Sequence, residues 1–341
     1  MRIMVGEFVC GGGLARQQIQ EIPTSLRLEG AAMLRAVATD LSAFAEVVVP
    51  LDPRFSDVAP ESAQVVGVDP QETLWGNWIK AAEDCDAALV IAPESDGMLA
   101  KGVAMLRAGG VNVIAGSGGF LRVASDKELT AKRLLAAGVA HPPFMTLAER
   151  KNEADLEGYD RYVVKPRDGC GTQEIQTFDS LAEARACLES NLILQAWVVG
   201  RPISVAMLAT ASDQIFLPAV AQVLTDGTCD YAGGKGPLNE EDQRRATALA
   251  SRAAAAMPPT VRGFVGFDLI LGESVSDDYV IEVNPRLTTS YVGLRRMING
   301  NLAARLFEIE TGPVSCCTSV DSVRWTPDGR VWINDAVAEP G

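Results

Sequence analysis

Histidine is almost absent from this sequence: His141 is the only one in 341 residues. The seven cysteines, at 10, 85, 170, 187, 229, 316 and 317, are odd in number and form no C-x-x-C. A zinc centre and a disulfide framework are therefore both disfavoured, and a reducing, cytoplasmic setting is expected. Long apolar runs are missing too. The opening MRIMVGEFVCGGG contains no signal-type apolar core, and nowhere does the chain approach the ~20 apolar residues of a membrane helix. Basic residues are few, 30 Lys and Arg against 44 Asp and Glu, for a net charge of −14. A nucleic-acid surface, which needs clustered Lys and Arg, is not expected. Two nucleotide motifs also fail. Gly11-x-Gly13 is followed by Arg16 where a dinucleotide fingerprint needs Gly or Ala, and Lys235 in Gly233-Gly234-Lys235-Gly236 precedes glycine rather than Ser or Thr. With no Ser-His-Asp or Cys-His set in view, covalent catalysis by a side chain is not indicated.

What is present is ordinary globular material, 48% hydrophobic and 22% charged, long enough for two or three domains. Short apolar strands at Met1–Val5, Val47–Leu51, Ala87–Ala92 and Val111–Ala115 alternate with helical sequence at Ser25–Glu46 and around Met98–Ala108. That alternation predicts an open, mostly parallel α/β sheet. Gly11–Gly13 after the first strand reads either as a tight turn or as a substrate-contacting loop with Glu7 beside it. From Ser125 a helix opens, with Ser125 and Glu128 at capping-box spacing, and it runs to about Ala137 before Gly138. A strand at Arg161–Lys165, a glycine loop at Arg167–Thr172, a helix at Leu181–Leu188 and a strand at Leu192–Val199 follow. Beyond Arg201 the pattern is α+β, with strands near 203–209, 215–224, 264–271 and 279–283. Ser322–Asn334 alternates around Pro327-Asp328-Gly329 as a structural hairpin.

The strongest chemical signal is acidic. If Phe264–Leu271 and Tyr279–Val283 pair about Val275, Asp268 lies opposite Glu282, and Asn284 faces the same side two residues on. Three hard oxygen donors on one face suit Mg²⁺ bridging phosphates. The plainer alternative is a solvated polar face, but Asp268 interrupts the apolar run GFVGFDLIL. Lys165 closes a buried-looking strand at the root of Arg167-Asp168-Gly169-Cys170-Gly171-Thr172, whose backbone amides could cradle phosphate oxygens. Lys127 sits in the first turn of its helix, where the macrodipole disfavours a cation unless it reaches an anion. Either lysine alone would be read as a surface residue; together with the glycine loop and the acids they point to a nucleotide.

This order of features resembles the ATP-grasp family over nearly the whole chain, most specifically at Glu282-Val283-Asn284-Pro285-Arg286. The resemblance implies an N-terminal α/β domain (1–120), a small lid (121–195) and a C-terminal domain carrying the metal site (196–310), followed here by the hairpin extension (311–341). It implies ATP with Mg²⁺, or Mn²⁺ in its place. Lys127 and Lys165 would hold the α- and β-phosphates, with Gly169, Gly171 and Thr172 closing over them. The hinge Gln195, Ala196, Trp197 and Val198 would meet adenine. Asp268, Glu282 and Asn284 would hold the metal, and Arg286, with Lys165, would act on the transferring phosphoryl group.

Where many members carry an acidic residue after the hinge glycine, this chain has Arg201-Pro202-Ile203-Ser204, so ribose contact in the usual manner is not expected, and Ser204 is a candidate cofactor contact. The runs Gly6–Gly13 and Asn284–Tyr291 are similar to a subgroup containing the tyramine–glutamate ligases of methanofuran biosynthesis, with the pyrrolysine-pathway ligase nearby. That similarity implies ligation of L-glutamate to tyramine or tyrosine through an acyl-phosphate. Glu7, Gly11, Gly12, Tyr231, Lys235, Arg286, Thr288 and Ser290 are the candidate substrate contacts, with Tyr231–Lys235 read as a flexible loop and Arg295 and Arg296 as further countercharge. Two rivals are a nucleotide sensor without turnover, whose mark would be a broken metal set, and a carboxylase or phosphotransferase on the same nucleotide site. Small-molecule partners and, at most, a second copy of the chain are expected.

Overall fold

The fold comes from a computed structural model that describes residues 1–148, 154–169, 175–225, 228–260 and 262–338. Gly171 and Thr172 of the expected phosphate loop lie outside the described residues. Three sheets make up the architecture, as expected of an α/β and α+β chain.

The first sheet is parallel. Its strands are β1 (Arg2–Glu7), β2 (Glu46–Leu51), β3 (Ala63–Gly67) and β4 (Ala87–Ile91), in the order β3-β2-β1-β4. Alternate side chains go to opposite faces, so Ile3 and Val5 pack under helix α1 (Thr24–Ser42) while Met4 meets Trp78. Trp78 lies in α2 (Leu74–Ala81), which packs against α3 (Met98–Ala108). The expected strand at Val111–Ala115 is reduced to a single bridge between Val113 and Ala88. The turn after β1 winds through Val9–Gly13, where a Cβ on Gly11 would come within 2.8 Å of Trp78 and Gly12 has φ +94°. Packing alone therefore accounts for these glycines as a tight turn.

Two helices lead out of this layer, α4 (Gly118–Ala124) and α5 (Lys127–Ala136). The cap of α5 is Asp126, whose carboxylate accepts the amides of Glu128 and Leu129, and not Ser125 as the spacing suggested. Ser125 ends α4 instead, and Glu128 turns away to Arg167, Lys132 and Thr146.

A small antiparallel sheet follows: β5 (Phe144–Thr146), β6 (Tyr162–Pro166), β7 (Gln176–Phe178) and β8 (Leu192–Ala196), in the order β5-β8-β6-β7. Helix α6 (Leu181–Ala186) covers it, and Met145, Leu156, Tyr162, Val164, Ala184 and Leu194 form its own core. Arg167, just past β6, bonds Asp126 and Glu128 at 2.6 and 2.7 Å, tying this sheet to the start of α5.

The largest sheet contains β9 (Arg201–Ala209), β10 (Gln214–Phe216), β11 (Val220–Leu224), β12 (Tyr231–Gly236), β13 (Gly263–Leu271), β14 (Tyr279–Asn284) and the C-terminal β15 (Val323–Trp325), β16 (Val331–Ile333) and β17 (Ala336–Val337). One face is covered by α7 (Glu240–Ala256) through Ala246, Leu249, Ala250 and Ala253. The other face is divided. At one end Ala206, Leu208 and Phe264 join the core of the first layer, together with α8 (Ser290–Met297) and α9 (Leu302–Leu306). At the other end Ser204, Asp268 and Glu282 turn toward the small sheet.

Candidate active site

Register sets the acids. Asp268 on β13 is paired with Glu282 on one side and with Ser204 of β9 on the other. Gly266 pairs with Asn284, so Asn284 reaches the same face, as symmetric pairing about Val275 requires. The symmetry breaks immediately after Asp268, where Leu269 pairs with Val280 and the register slips by one. Asn284 donates its amide to Asp268 Oδ2 at 2.9 Å, and Gln222 of β11 donates to Oδ1 at 2.7 Å. The Ser204 hydroxyl is also bonded to Asp268, which turns it toward the acids. Desolvation and the neighbouring Glu282 push the Asp268 carboxyl up to about 6 against these hydrogen bonds.

Opposite the acids stand the lysines. Lys127, nine-tenths buried at the start of α5, lies 3.0 Å from Glu282 Oε1 and donates to the Gly169 carbonyl at 2.5 Å. A cation at a helix N-terminus is thus explained by the anion it meets. Lys165, buried on β6, also faces Glu282; desolvation, with the Lys127 charge against it, lowers its ammonium to about 8. Burial alone would raise Glu282, but Lys127 and Lys165 outweigh it and hold that carboxyl low. Helix α5 and the small sheet therefore each aim one ammonium group at the carboxylates of the large sheet. Asp168, three residues past Lys165 in the chain, accepts the Asp96 amide at 2.9 Å and so links the end of β6 to the first layer.

Arg286, two residues past Asn284, pairs with buried Glu94, with Nε–Oε1 at 3.0 Å. Glu94 follows β4 at the carboxyl end of the parallel sheet, where open α/β sheets place their ligands. Glu7, at the same end of β1, accepts the Cys10 amide at 2.8 Å; its carboxyl is raised by burial, although that hydrogen bond opposes the rise.

In the hinge, Gln195 is buried and its amide lies 3.4 Å from His141 Nε2, while His141 Nδ1 meets the Pro142 carbonyl at 2.8 Å. The backbone amides of Ala196 and Trp197 are taken by Pro143 and Arg161, and the Arg161 guanidinium stacks 4.7 Å from the Trp197 ring. Val198 follows half-buried, beyond the end of β8.

Three sequence expectations are corrected. Tyr231–Lys235 is strand β12, not a loop: a Cβ on Gly234 would come within 2.2 Å of the Trp325 ring, so these glycines make room for an indole. Lys235 pairs with Ala221, on the face opposite Gln222, and is exposed away from the acids. Arg295 is not substrate countercharge either, because Asp40 of α1 holds it at 2.6 Å and also accepts the Tyr291 hydroxyl. Tyr231 does stay near the cleft, its hydroxyl accepting the Trp325 indole N–H at 3.0 Å and bonded to Thr289. Thr288 and Ser290 bond each other at 2.8 Å. Sequence reasoning missed Gln222, Glu94 and the Asp126–Arg167 tie; each acts across strands or layers that no local pattern announces.

Among the described residues there is no cluster of three or more His, Cys, Asp or Glu side chains fit for a metal. The candidate set is two carboxylates and an amide. It still fits a hard divalent cation: all its donors are oxygens, and a desolvated carboxylate pushed up to about 6 is relieved by positive charge. A separate cavity of about 350 Å³, lined by residues including Arg107, Asn112 and Arg262, lies away from these groups. Arg107 is committed there to the carbonyls of Val113, Ala115 and Gly116. No helix of the described residues is long and apolar enough to cross a membrane.

A small sheet thus lies over a larger one, with two lysines facing two paired acids. Residues 124–290 match the ATP-grasp domain family and residues 45–118 the pre ATP-grasp 3 domain. The chain belongs to the ATP-grasp family. A tyramine–L-glutamate ligase of Methanocaldococcus fervens is 26% identical over 64% of this chain and 65% of its own length. The ligase of the same name from Methanocaldococcus jannaschii is 27% identical over 67% of this chain and 63% of its own. The matches thus span a little under two thirds of these relatives. The solved structure of an ATP-grasp superfamily protein from Archaeoglobus fulgidus superposes with a TM-score of 0.70 at 24% identity, covering 95% of this chain and 92% of that one.

Proposed function

We propose that this protein is an ATP-dependent carboxylate–amine ligase that forms an amide through an acyl-phosphate. The observation that carries the reading is the opposition of Lys127 and Lys165 to Asp268 and Glu282 across the cleft, with Arg286 at its edge. Lys127 and Lys165 bind the α- and β-phosphates of ATP, and the backbone at Gln195–Val198 meets adenine. Asp268, Glu282 and Asn284 hold Mg²⁺, with Mn²⁺ able to replace it; the ion supplies charge neutralisation at the phosphates. Arg286, oriented by Glu94, stabilises charge on the phosphoryl group as the substrate carboxylate attacks it. The amine then displaces phosphate from the acyl carbon. No side-chain nucleophile is needed, in keeping with a chain whose one histidine is buried against Gln195.

The substrates proposed are L-glutamate and a phenolic amine, tyramine or tyrosine, as in methanofuran- or methylofuran-type cofactor assembly. The ligase relatives at 26% and 27% identity support that choice, as does the arginine beside the acids. Purified protein with ATP, Mg²⁺, glutamate and tyramine or tyrosine should release ADP only when the amine is present, and mass spectrometry should find the amide. If another carboxylate yields product and glutamate never does, the substrate assignment is wrong and the ligase class stands. If no pair gives amine-dependent ADP, the class itself fails.

A further inference from the structure

Glu29 lies outside both matched family spans, in the first half of α1. On that helix Glu29, Met33, Ala36 and Asp40 follow one another at i, i+4, i+7 and i+11, a single face. The far end of the face is fixed by contact: Asp40 grips Tyr291 and Arg295 of α8. Two turns toward the near end, Ala32 lies so close to Gly329 that a Cβ there would come within 2.9 Å. The face therefore packs on the C-terminal half of the molecule, and the near end of α1 is set beside Glu7 at the carboxyl end of β1, where a Cβ on Gly30 would come within 2.6 Å of the Glu7 carboxylate. There Glu29 comes within electrostatic reach of Arg286, Tyr231 and Glu7.

Its surroundings are half-closed, yet among the described residues no hydrogen bond or ion pair reaches its carboxylate. Other recessed acids here are satisfied: Glu94 by Arg286, Asp40 by Arg295, Glu7 by a backbone amide. A half-recessed acid with no partner is ready countercharge for a cation that arrives beside it. Burial raises its carboxyl, with Arg286 opposing, as expected of a site waiting for positive charge.

We propose that Glu29 is the subsite for a substrate's primary ammonium group, placed on the Arg286 side of the cleft and bordered by the Tyr231 hydroxyl. The inference rests on the ligase reading, in which the amine acceptor and the amino-acid donor each bring such a group. Anchoring it by a charged hydrogen bond would orient the substrate beside the phosphoryl-transfer residues.

The test is Glu29→Gln, which keeps shape and removes charge. The KM for one of the two substrates should rise roughly tenfold or more, the loss expected for a charge-assisted hydrogen bond, with the KM for ATP unchanged. The substrate affected identifies which ammonium group is held. A measurement that needs no turnover is the thermal shift given by amine or by glutamate alone, which the wild type should show and Glu29→Gln should lose for that same substrate. Unchanged KM for both substrates, or a rise that includes ATP together with a lower melting temperature, overturns the proposal. A wild type that makes no amide from any pair fails the ligase reading; an active wild type beside an unaffected Glu29→Gln fails this inference alone.

Discussion

Two sets of recessed charge lie around the hairpin β13–β14, and they are built on opposite plans. On the α7 side, Arg245 grips Asp278 with both nitrogens, and the same carboxylate accepts the Gly272 amide at 3.1 Å while Arg245 also donates to the Gly272 carbonyl at 2.9 Å. Each formal charge there has a partner. On the cleft side, two carboxylates are paired across the strands, and the hydrogen bonds from Asn284, Gln222 and Ser204 do not keep Asp268 from being raised. The satisfied pair is explained by the fold alone. The cleft set is only part-satisfied, since Lys127 and Lys165 answer Glu282 while Asp268 has hydrogen bonds and, among the described residues, no ion pair of its own, which is what the proposed cation would complete.

The comparison can be broken by mutation, and the largest effect belongs to the cleft. Asp268→Asn and Glu282→Gln should each lower kcat by ~10²-fold or more, the scale of losing an electrostatic stabiliser at a reacting centre. Melting temperature should hold or rise for Asp268→Asn, because a like charge has been removed, and should fall for Glu282→Gln, because Lys127 and Lys165 lose their counter-charge. ADP release and a thermal melt check both halves, and a double variant with wild-type turnover in Mg²⁺ would end the metal assignment. Across the hairpin the pattern should invert. Arg245→Met leaves Asp278 buried and unpaired and should cost about 3–5 kcal/mol in urea unfolding. Its kcat per folded molecule should stay at the wild-type value; a loss of turnover without loss of stability would show that the two faces are not separate.

A smaller effect is expected where no charge is involved. A Cβ on Gly293 would come within 2.1 Å of Trp325, so Gly293→Ala should destabilise the protein by ~1–3 kcal/mol through overpacking. Equal stability of the variant and the wild type would show that the indole has room to shift. The smallest effect concerns pH. Burial, reinforced by the nearby Lys165 charge, pushes His141 down to about 3. The unfolded chain binds a proton there near pH 6.5 and the folded protein does not, so this contribution is complete above pH 6.5 and is lost as pH falls toward 3. The single imidazole NMR signal should not titrate between pH 8 and 5. A midpoint near 6.5 would place His141 in solvent.

Which parts of this could be read from the sequence follows from how far apart the partners lie. Asp268 opposite Glu282 was legible because a short connection between two apolar runs fixes register from within, although the slip at Leu269 was not. The wrong cap at Ser125 arose because two adjacent residues can both cap, and the end of α4 had already claimed Ser125. Gly233-Gly234 looked like a loop because its reason, the ring of Trp325, enters from a strand some ninety residues later. Arg295 looked like free countercharge for the same reason, its partner Asp40 lying in the first helix. Local chemistry and nearest-neighbour pairing are written in the residues themselves, whereas cross-layer neutralisation is decided by packing.

Trp325 also bears on the order in which the molecule can be completed. Its ring fills the space left by Gly234 and Gly293, and its N–H fixes the Tyr231 hydroxyl beside the cleft. On a ribosome, the acids, lysines and arginine of the cleft all emerge before this indole does. Until it arrives, the glycine strand β12 faces an empty slot with no side chains of its own to fill it. The last hairpin thus works as a keystone in time as well as in space, and the wall next to the cleft becomes firm only after residue 325 has been synthesised.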